Sequence, residues 1–247
     1  MADAAVRFED VWKGFGGPAV LRGLDLEVPR GSTLTVMGGS GSGKTVLLRL
    51  AAGLLKPDRG RISLLGVETV PLREEALLPL RRRLGFVFQG AALFDSLTAF
   101  ENVAYPLREH TRLDESRIAE RVHRMLERVG LPDAASKLPG DLSGGMKKRV
   151  GIARALVLEP ELILYDEPTA GLDPTNARLI TELMEGLKSQ GASETAMIVT
   201  HDFEFARAAS DLIGILLDGR IAQVGPPDAI VQSPRRDVQA FLAGKPR

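Results

Sequence analysis

Cysteine is absent from the 247 residues. That excludes disulfides, thiolate catalysis and cysteine-ligated zinc, and it suits a reducing cytosol. Histidine is scarce, at three positions (His110, His123 and His201), too few for a histidine-rich metal site. Neither sign of charge is in surplus: 32 basic residues balance 32 acidic ones, with a pI near 6.9. A strongly basic surface is not expected, and no nucleic-acid partner is assigned. Long apolar runs are missing too. The longest, such as 212–217, fall far short of the roughly 20 residues that span a bilayer. Asp3, Arg7, Glu9 and Asp10 interrupt the first residues, so no secretory signal is expected. What is present, 44% hydrophobic and 26% charged, is the composition of an ordinary globular protein with a sizeable core.

Strand signals come first along the chain. Residues 6–11 form a strand candidate, broken by Gly14, Gly16, Gly17 and Pro18. Leu21, Leu24, Leu26 and Val28 sustain a second apolar run, and 33–37 is a third, β-branched and bounded by glycines. A helix is predicted from about Gly43, with Val46, Leu47, Leu50 and Leu54 on one face. Short strands are expected around 62–65 and 85–88.

The middle reads as helical. Thr98 and Glu101 form a capping box. Residues 114–129 carry Ile118, Val122, Met125, Leu126 and Val129 at helical spacing, with Gly130 as the stop. From about 160 the alternation resumes, with strands at 162–165, 197–200 and 213–217 and helices at 175–189 and from 202. Asp218-Gly219 signals a hairpin into 221–224. The last stretch, 233–247, has Phe241 and Leu242 among charges; it reads as a short helix packing on a partner chain or as a frayed tail. The whole pattern is α/β, interrupted by a helical insertion over roughly 90–160.

The segment Gly38-Gly39-Ser40-Gly41-Ser42-Gly43-Lys44-Thr45 fits the phosphate-binding pattern G-x-x-x-x-G-K-[ST], between an apolar strand and a helix that continues with Val46. Glycines let backbone N–H groups close around phosphate oxygens, and the helix N-terminus adds positive partial charge. Lys44 would reach the β- and γ-phosphates, and Thr45 would put its hydroxyl on Mg²⁺. Guanine-reading Asn-Lys-x-Asp is missing, since neither Asn102 nor Asn176 precedes a lysine, so adenine is favoured. Phe15, in a glycine-rich turn, would stack on the base.

An apolar strand ending in Asp166-Glu167 supplies two divergent carboxylates. Asp166 would hold Mg²⁺ through water, and Glu167 would orient and deprotonate the attacking water. A second anion-binding device follows from Leu142-Ser143-Gly144-Gly145-Met146, where Ser143 caps a helix whose first turn exposes amides beside two glycines. One cradle and one such helix end per chain predict two chains arranged head to tail.

On these motifs the chain resembles the ATP-binding subunits of ABC transporters, from about residue 6 to about 230. The resemblance also takes in Gln89 after Val87-Phe88, the Ala170-Gly171-Leu172-Asp173 loop and His201 after Ile198-Val199-Thr200. It implies a RecA-like P-loop core with an antiparallel β-subdomain (about 1–89 and 160–232), a helical signature subdomain (about 90–159) and a tail at 233–247. It further implies a homodimer with two ATPs at its interface. In that scheme Gln89 contacts Mg²⁺ and the attacking water, Ser143 and Gly145 bind the γ-phosphate of the opposite subunit's ATP, Asp173 crosses the interface, and His201 steadies the γ-phosphate. Met146 departs from the usual glutamine, and Phe15 from the commoner tyrosine. His110 and His123 match no motif and are expected at the surface.

Residues 93–110, Met146 and 164–174 resemble more narrowly the MlaF-type ATPases of the Mla/Mce phospholipid transport systems of Gram-negative bacteria. That resemblance implies peripheral attachment at the cytoplasmic face of the inner membrane. It also implies as partners an MlaE-like permease, a periplasmic MlaD-like protein with an MCE domain and, often, a small MlaB-like STAS-domain protein. Phe94, Leu97 and Phe100 are either exposed contacts for the permease's coupling helix or packing within the helical subdomain. Other cargo, such as an amino acid or lipoprotein, stays open, as does a soluble ABC-type ATPase that works on ribosomes or DNA.

Overall fold

The computed structural model describes residues 3–189 and 195–244. The chain runs through β1 (Ala4–Lys13), β2 (Leu21–Pro29), β3 (Thr33–Met37), α1 (Lys44–Ala51), β4 (Arg59–Leu64), β5 (Val67–Glu68) and α2 (Glu74–Arg81). It continues with β6 (Leu84–Val87), α3 (Ala99–His110), α4 (Glu115–Arg128), α5 (Gly144–Leu156), β7 (Leu162–Asp166) and α6 (Pro174–Ser189). Last come β8 (Ala196–Thr200), α7 (Phe203–Ala209), β9 (Leu212–Leu217), β10 (Arg220–Gly225), α8 (Pro227–Val231) and α9 (Arg236–Leu242). Two compact units are formed, Met1–Arg81 with Glu194–Arg247, and Arg82–Ser193.

In the first unit, β2, β1, β4 and β5 make an antiparallel sheet in that order. Val6 pairs with Val28 and Phe8 with Leu26. All four are buried, so the period-2 apolar face is one side of this sheet. The register shifts after Phe8, where Asp10 takes φ 46°. Beyond that bulge β1 resumes pairing to Lys13, longer than the expected 6–11.

The unit's other strands run β10-β9-β3-β8, with β3 parallel to both neighbours. Every residue of β3 and β8 is buried, as befits parallel strands covered on both faces. Arg220 pairs with Leu217, so Asp218 and Gly219 form the two-residue turn their sequence signals.

α1 ends earlier than its apolar spacing predicts. Gly53 N–H donates to Leu50 O at 3.1 Å and Leu54 N–H to Arg49 O at 2.9 Å, with Gly53 at φ 66°. This is a Schellman stop, and glycine enters the left-handed region it needs without a Cβ penalty. Leu54 is therefore turned away from the buried face and is 46% exposed. α2 is an element periodicity misses, because Pro79 lies inside it and only Leu77 and Leu80 are buried.

Over 236–242 the C-terminal stretch is the short helix α9. Val238 of α9 is buried with Met37, Ala206, Ile213, Ile215, Leu217 and Ile230, and Phe241 and Leu242 pack against that cluster. The helix covers its own chain's core. Residues 245–247 of the tail lie outside the described residues.

In the second unit β6 and β7 pair in parallel, Val87 opposite Tyr165. α3, α4 and α5 pack on one another as the expected helical insertion. Thr98 Oγ1 accepts from Glu101 N–H at 3.2 Å while Glu101 Oε2 accepts from Thr98 N–H at 2.7 Å, which completes the capping box. Asp114 caps α4, which buries Ile118, Val122, Met125 and Leu126. His110 and His123 are exposed, as expected.

Candidate functional site

The phosphate-binding pattern lies in the first unit, between β3 and α1. Gly43 is the N-cap of α1 at φ 103°, with no side chain capping the first-turn amides. Those N–H groups have no intrahelical partner, and the first turn holds no acidic residue to repel an anion. Lys44 is buried, and its ammonium donates to Gly38 O at 2.9 Å and Gly39 O at 3.1 Å, folded back along the loop. The Ser42 hydroxyl is buried without a hydrogen-bond partner among the described residues. A buried hydroxyl left unsatisfied costs about 1–3 kcal/mol, so this orphan inside a glycine loop fits an incoming phosphate oxygen. Thr45 and Val46 are half-buried on the same turn.

Met37 and Thr200 are register partners on parallel strands, so Gly38 and His201 leave the sheet at the same edge. Asp202 caps α7 by accepting from Phe205 N–H at 3.0 Å, which fixes the backbone just beyond His201.

Phe15 is 60% exposed on its turn. The turn is pinned by a residue that sequence reading gives no reason to select. Asp58 accepts from Lys13 Nζ and from Gly14 N–H, each at 2.7 Å. The Lys13 ammonium, whose hydrogen bond lowers the Asp58 pKa, lies 5.4 Å from the Phe15 ring centroid.

The second unit carries the acids, Gln89 and the signature. Val87 pairs with Tyr165, so Gln89 and Glu167, each two residues on, emerge from one edge of β6 and β7. Asp166 and Glu167 are buried, and Glu167 sits in the left-handed region at φ 48°. Ser143 is the N-cap of α5, its Oγ accepting from Met146 N–H at 3.3 Å. Ser143 and Gly144 are exposed, and Gly145 is buried beside the Asn176 side chain. Asn176 in turn donates its backbone N–H to Asp173 Oδ1 at 3.0 Å and Nδ2–H to Oδ2 at 2.5 Å. The side-chain bond from Asn176 is the chief cause holding the Asp173 carboxyl below its ordinary pKa. Gly145 and Asp173, 28 positions apart by number (173 − 145), are thus brought onto one asparagine.

The segment after Gln89 is tied down by side-chain hydrogen bonds. Ala91 and Ala92 take φ 61° and 47°. Arg154 of α5 donates to both of their carbonyls at 2.8 Å. Asn102, fully buried, accepts from Phe94 N–H at 2.9 Å and donates to the carbonyls of Phe94, Leu97 and Thr98 at 3.2, 3.0 and 3.0 Å. Of the three apolar residues singled out here, Phe94 alone is exposed, at 44%. Leu97 and Phe100 are half-buried, the latter with His123 at 5.4 Å between ring centroids.

Among the described residues no group of three or more acids, histidines or cysteines stands ready to hold a metal. No helix among the described residues is long and apolar enough to cross a membrane.

Comparison with known proteins agrees with these features. The family model described as "ABC transporter" matches residues 21–170. The chain is 38% identical over 241 residues to the "Probable ribonucleotide transport ATP-binding protein mkl" of Mycobacterium leprae, covering 98% of this chain and 69% of that protein. It is 39% identical over 230 residues to the "Intermembrane phospholipid transport system ATP-binding protein MlaF" of Haemophilus influenzae, covering 93% and 87%. Among solved structures it matches a dimeric post-hydrolysis state of the ATP-binding cassette MJ0796 bound to ADP and Pi, with TM-score 0.81 and 33% identity over 90% of this chain and 98% of that one.

Proposed function

The chain belongs to the ABC transporter family and is an ATPase, and on that premise we propose that it powers phospholipid transport between the inner and outer membranes of a Gram-negative bacterium. It does so as a head-to-tail homodimer on a polytopic permease, peripheral to the cytoplasmic face of the inner membrane, with MlaB-like and MlaD-like partners. The observation that carries the catalytic half is the glycine loop with its buried lysine and a Ser42 hydroxyl that has no partner among the described residues. The likeness to an MlaF protein over most of both chains supports the cargo.

In this reading Phe15 stacks on adenine, residues 38–46 take the phosphates, and Glu167 draws a proton from the attacking water. Gln89 orients that water and His201 steadies the γ-phosphate. Ser143, Gly144 and Gly145 close on the partner chain's nucleotide, and Asp173 crosses between the two. Mg²⁺ arriving with ATP would be held by Thr45, Gln89 and Asp166 and would neutralise charge on the phosphates. The closed pair binds ATP better than ADP, and that difference in affinity drives the permease.

Glu167→Gln keeps the shape and removes the base. It should leave ATP titration unchanged and slow turnover by about a hundredfold or more. Hydrolysis at the parent rate would overturn the assignment. The cargo is tested by tagging the chain, extracting the assembly from bacterial membranes, and identifying its subunits and bound lipid. A permease with phospholipid is expected; an amino-acid, lipoprotein or ribonucleotide system in its place overturns the phospholipid reading.

A further inference from the structure

Lys148 of α5 is only 8% exposed. It lies one helical turn past Gly144, and its ammonium donates to the backbone carbonyl of Glu167 at 3.1 Å. The same carbonyl accepts from Ala170 N–H at 3.1 Å. It belongs to a residue whose left-handed backbone costs a non-glycine about 1–3 kcal/mol unless its surroundings hold it.

Stability alone does not account for the lysine. A hydrogen bond from a charged donor contributes about 1.5–3 kcal/mol. Burying an ammonium costs several kcal/mol, more than that bond returns. Burial pushes the Lys148 pKa down, and the negative charge of Glu167 works against that shift.

We propose that Lys148 is a positioning residue for hydrolysis, fixing the backbone turn from which the Glu167 carboxylate projects and tying it to the helix that begins at Ser143. The proposal rests on Glu167 being the base. α5 is one unbroken helix from Gly144 to Leu156, so Ser143 and Lys148 are separated by only about 7–8 Å of rise along a stiff rod. A nucleotide engaged at Ser143 thus bears on the setting of Glu167 in the same chain.

The test is Lys148→Met in the full chain, with Lys148→Gln as the second variant. Glutamine keeps a donor but loses the charge and falls short of the carbonyl. The expected result is a kcat lower by about tenfold to a hundredfold, as for an ångström-scale misplacement of a reacting group. KM for ATP should stay within about twofold and both variants should stay folded. Placed on Glu167→Gln, Lys148→Met should change the residual rate by less than about twofold, because residues acting as one unit do not multiply. If Glu167→Gln is inactive while both Lys148 variants turn over at the parent rate, this inference falls and the base assignment stands. If Glu167→Gln is active, the base assignment falls first. Loss of folded protein in both Lys148 variants would make the lysine a residue of the fold and overturn the proposal.

Discussion

Gly43 stands at φ 103°, where an L side chain is strained, and an added Cβ would lie 2.8 Å from Val20 Cγ1 and 3.1 Å from Leu21 Cδ2. The backbone term alone is about 1–3 kcal/mol. Relief requires Val20 to move, and its N–H closes the Phe15 turn on Lys13 O at 2.7 Å. Gly43→Ala should therefore weaken ATP binding by about tenfold or more and lower the melting temperature by roughly 3–10 °C. Gly39→Ala is the control for stability, because nothing lies within 4 Å of its Cβ and its φ is unstrained. It should melt with the parent, within about 0.5 kcal/mol. Calorimetry and nucleotide titration on the two variants read both quantities. Parent-like ATP affinity in Gly43→Ala would remove this loop from the phosphate site.

α5 shows how far element-level patterns reach. Its start is legible at Ser143, because a cap is a local hydrogen bond. Its buried face is legible at Val150, Ala153 and Leu156, because helical periodicity is local too. What the helix touches is not legible. Lys148 meets Glu167 19 residues later, and Arg154 meets Ala91 63 residues earlier. Such pairings are made by the fold and leave no mark in a window of sequence, and Asp58 under the Phe15 turn is hidden for the same reason. α1 is over-read at Leu54, since apolar spacing continues where Gly53 has already ended the helix. α2 is under-read, since an internal proline argues against it. In α9, Phe241 and Leu242 fit either a helix on a partner chain or a frayed tail, and the core they pack on is assembled from residues distant in sequence. The phosphate loop, the acid pair and the signature were readable because each is contiguous and bounded by its own strand or helix.

One cradle and one signature helix end per chain give the whole molecule a symmetry that can be tested. In a head-to-tail pair each pocket takes its Ser143 from the partner, so a lesion there and a lesion at Glu167 on the same chain damage different pockets of the dimer. Ser143→Ala and Glu167→Gln, each nearly inactive alone, should therefore complement when mixed. In the mixed dimer both lesions fall on one pocket, and the other is built from two intact halves. Equal mixing makes about half of the dimers mixed, each with one sound pocket, so ATPase activity should return toward about a quarter of the parent rate if the pockets fire independently. Coupled firing lowers that ceiling, yet any rise above the mean of the two separate rates requires catalysis to belong to the pair. A mixture that stays at that mean, with mixed dimers verified through two different affinity tags, would overturn independent firing of two shared pockets.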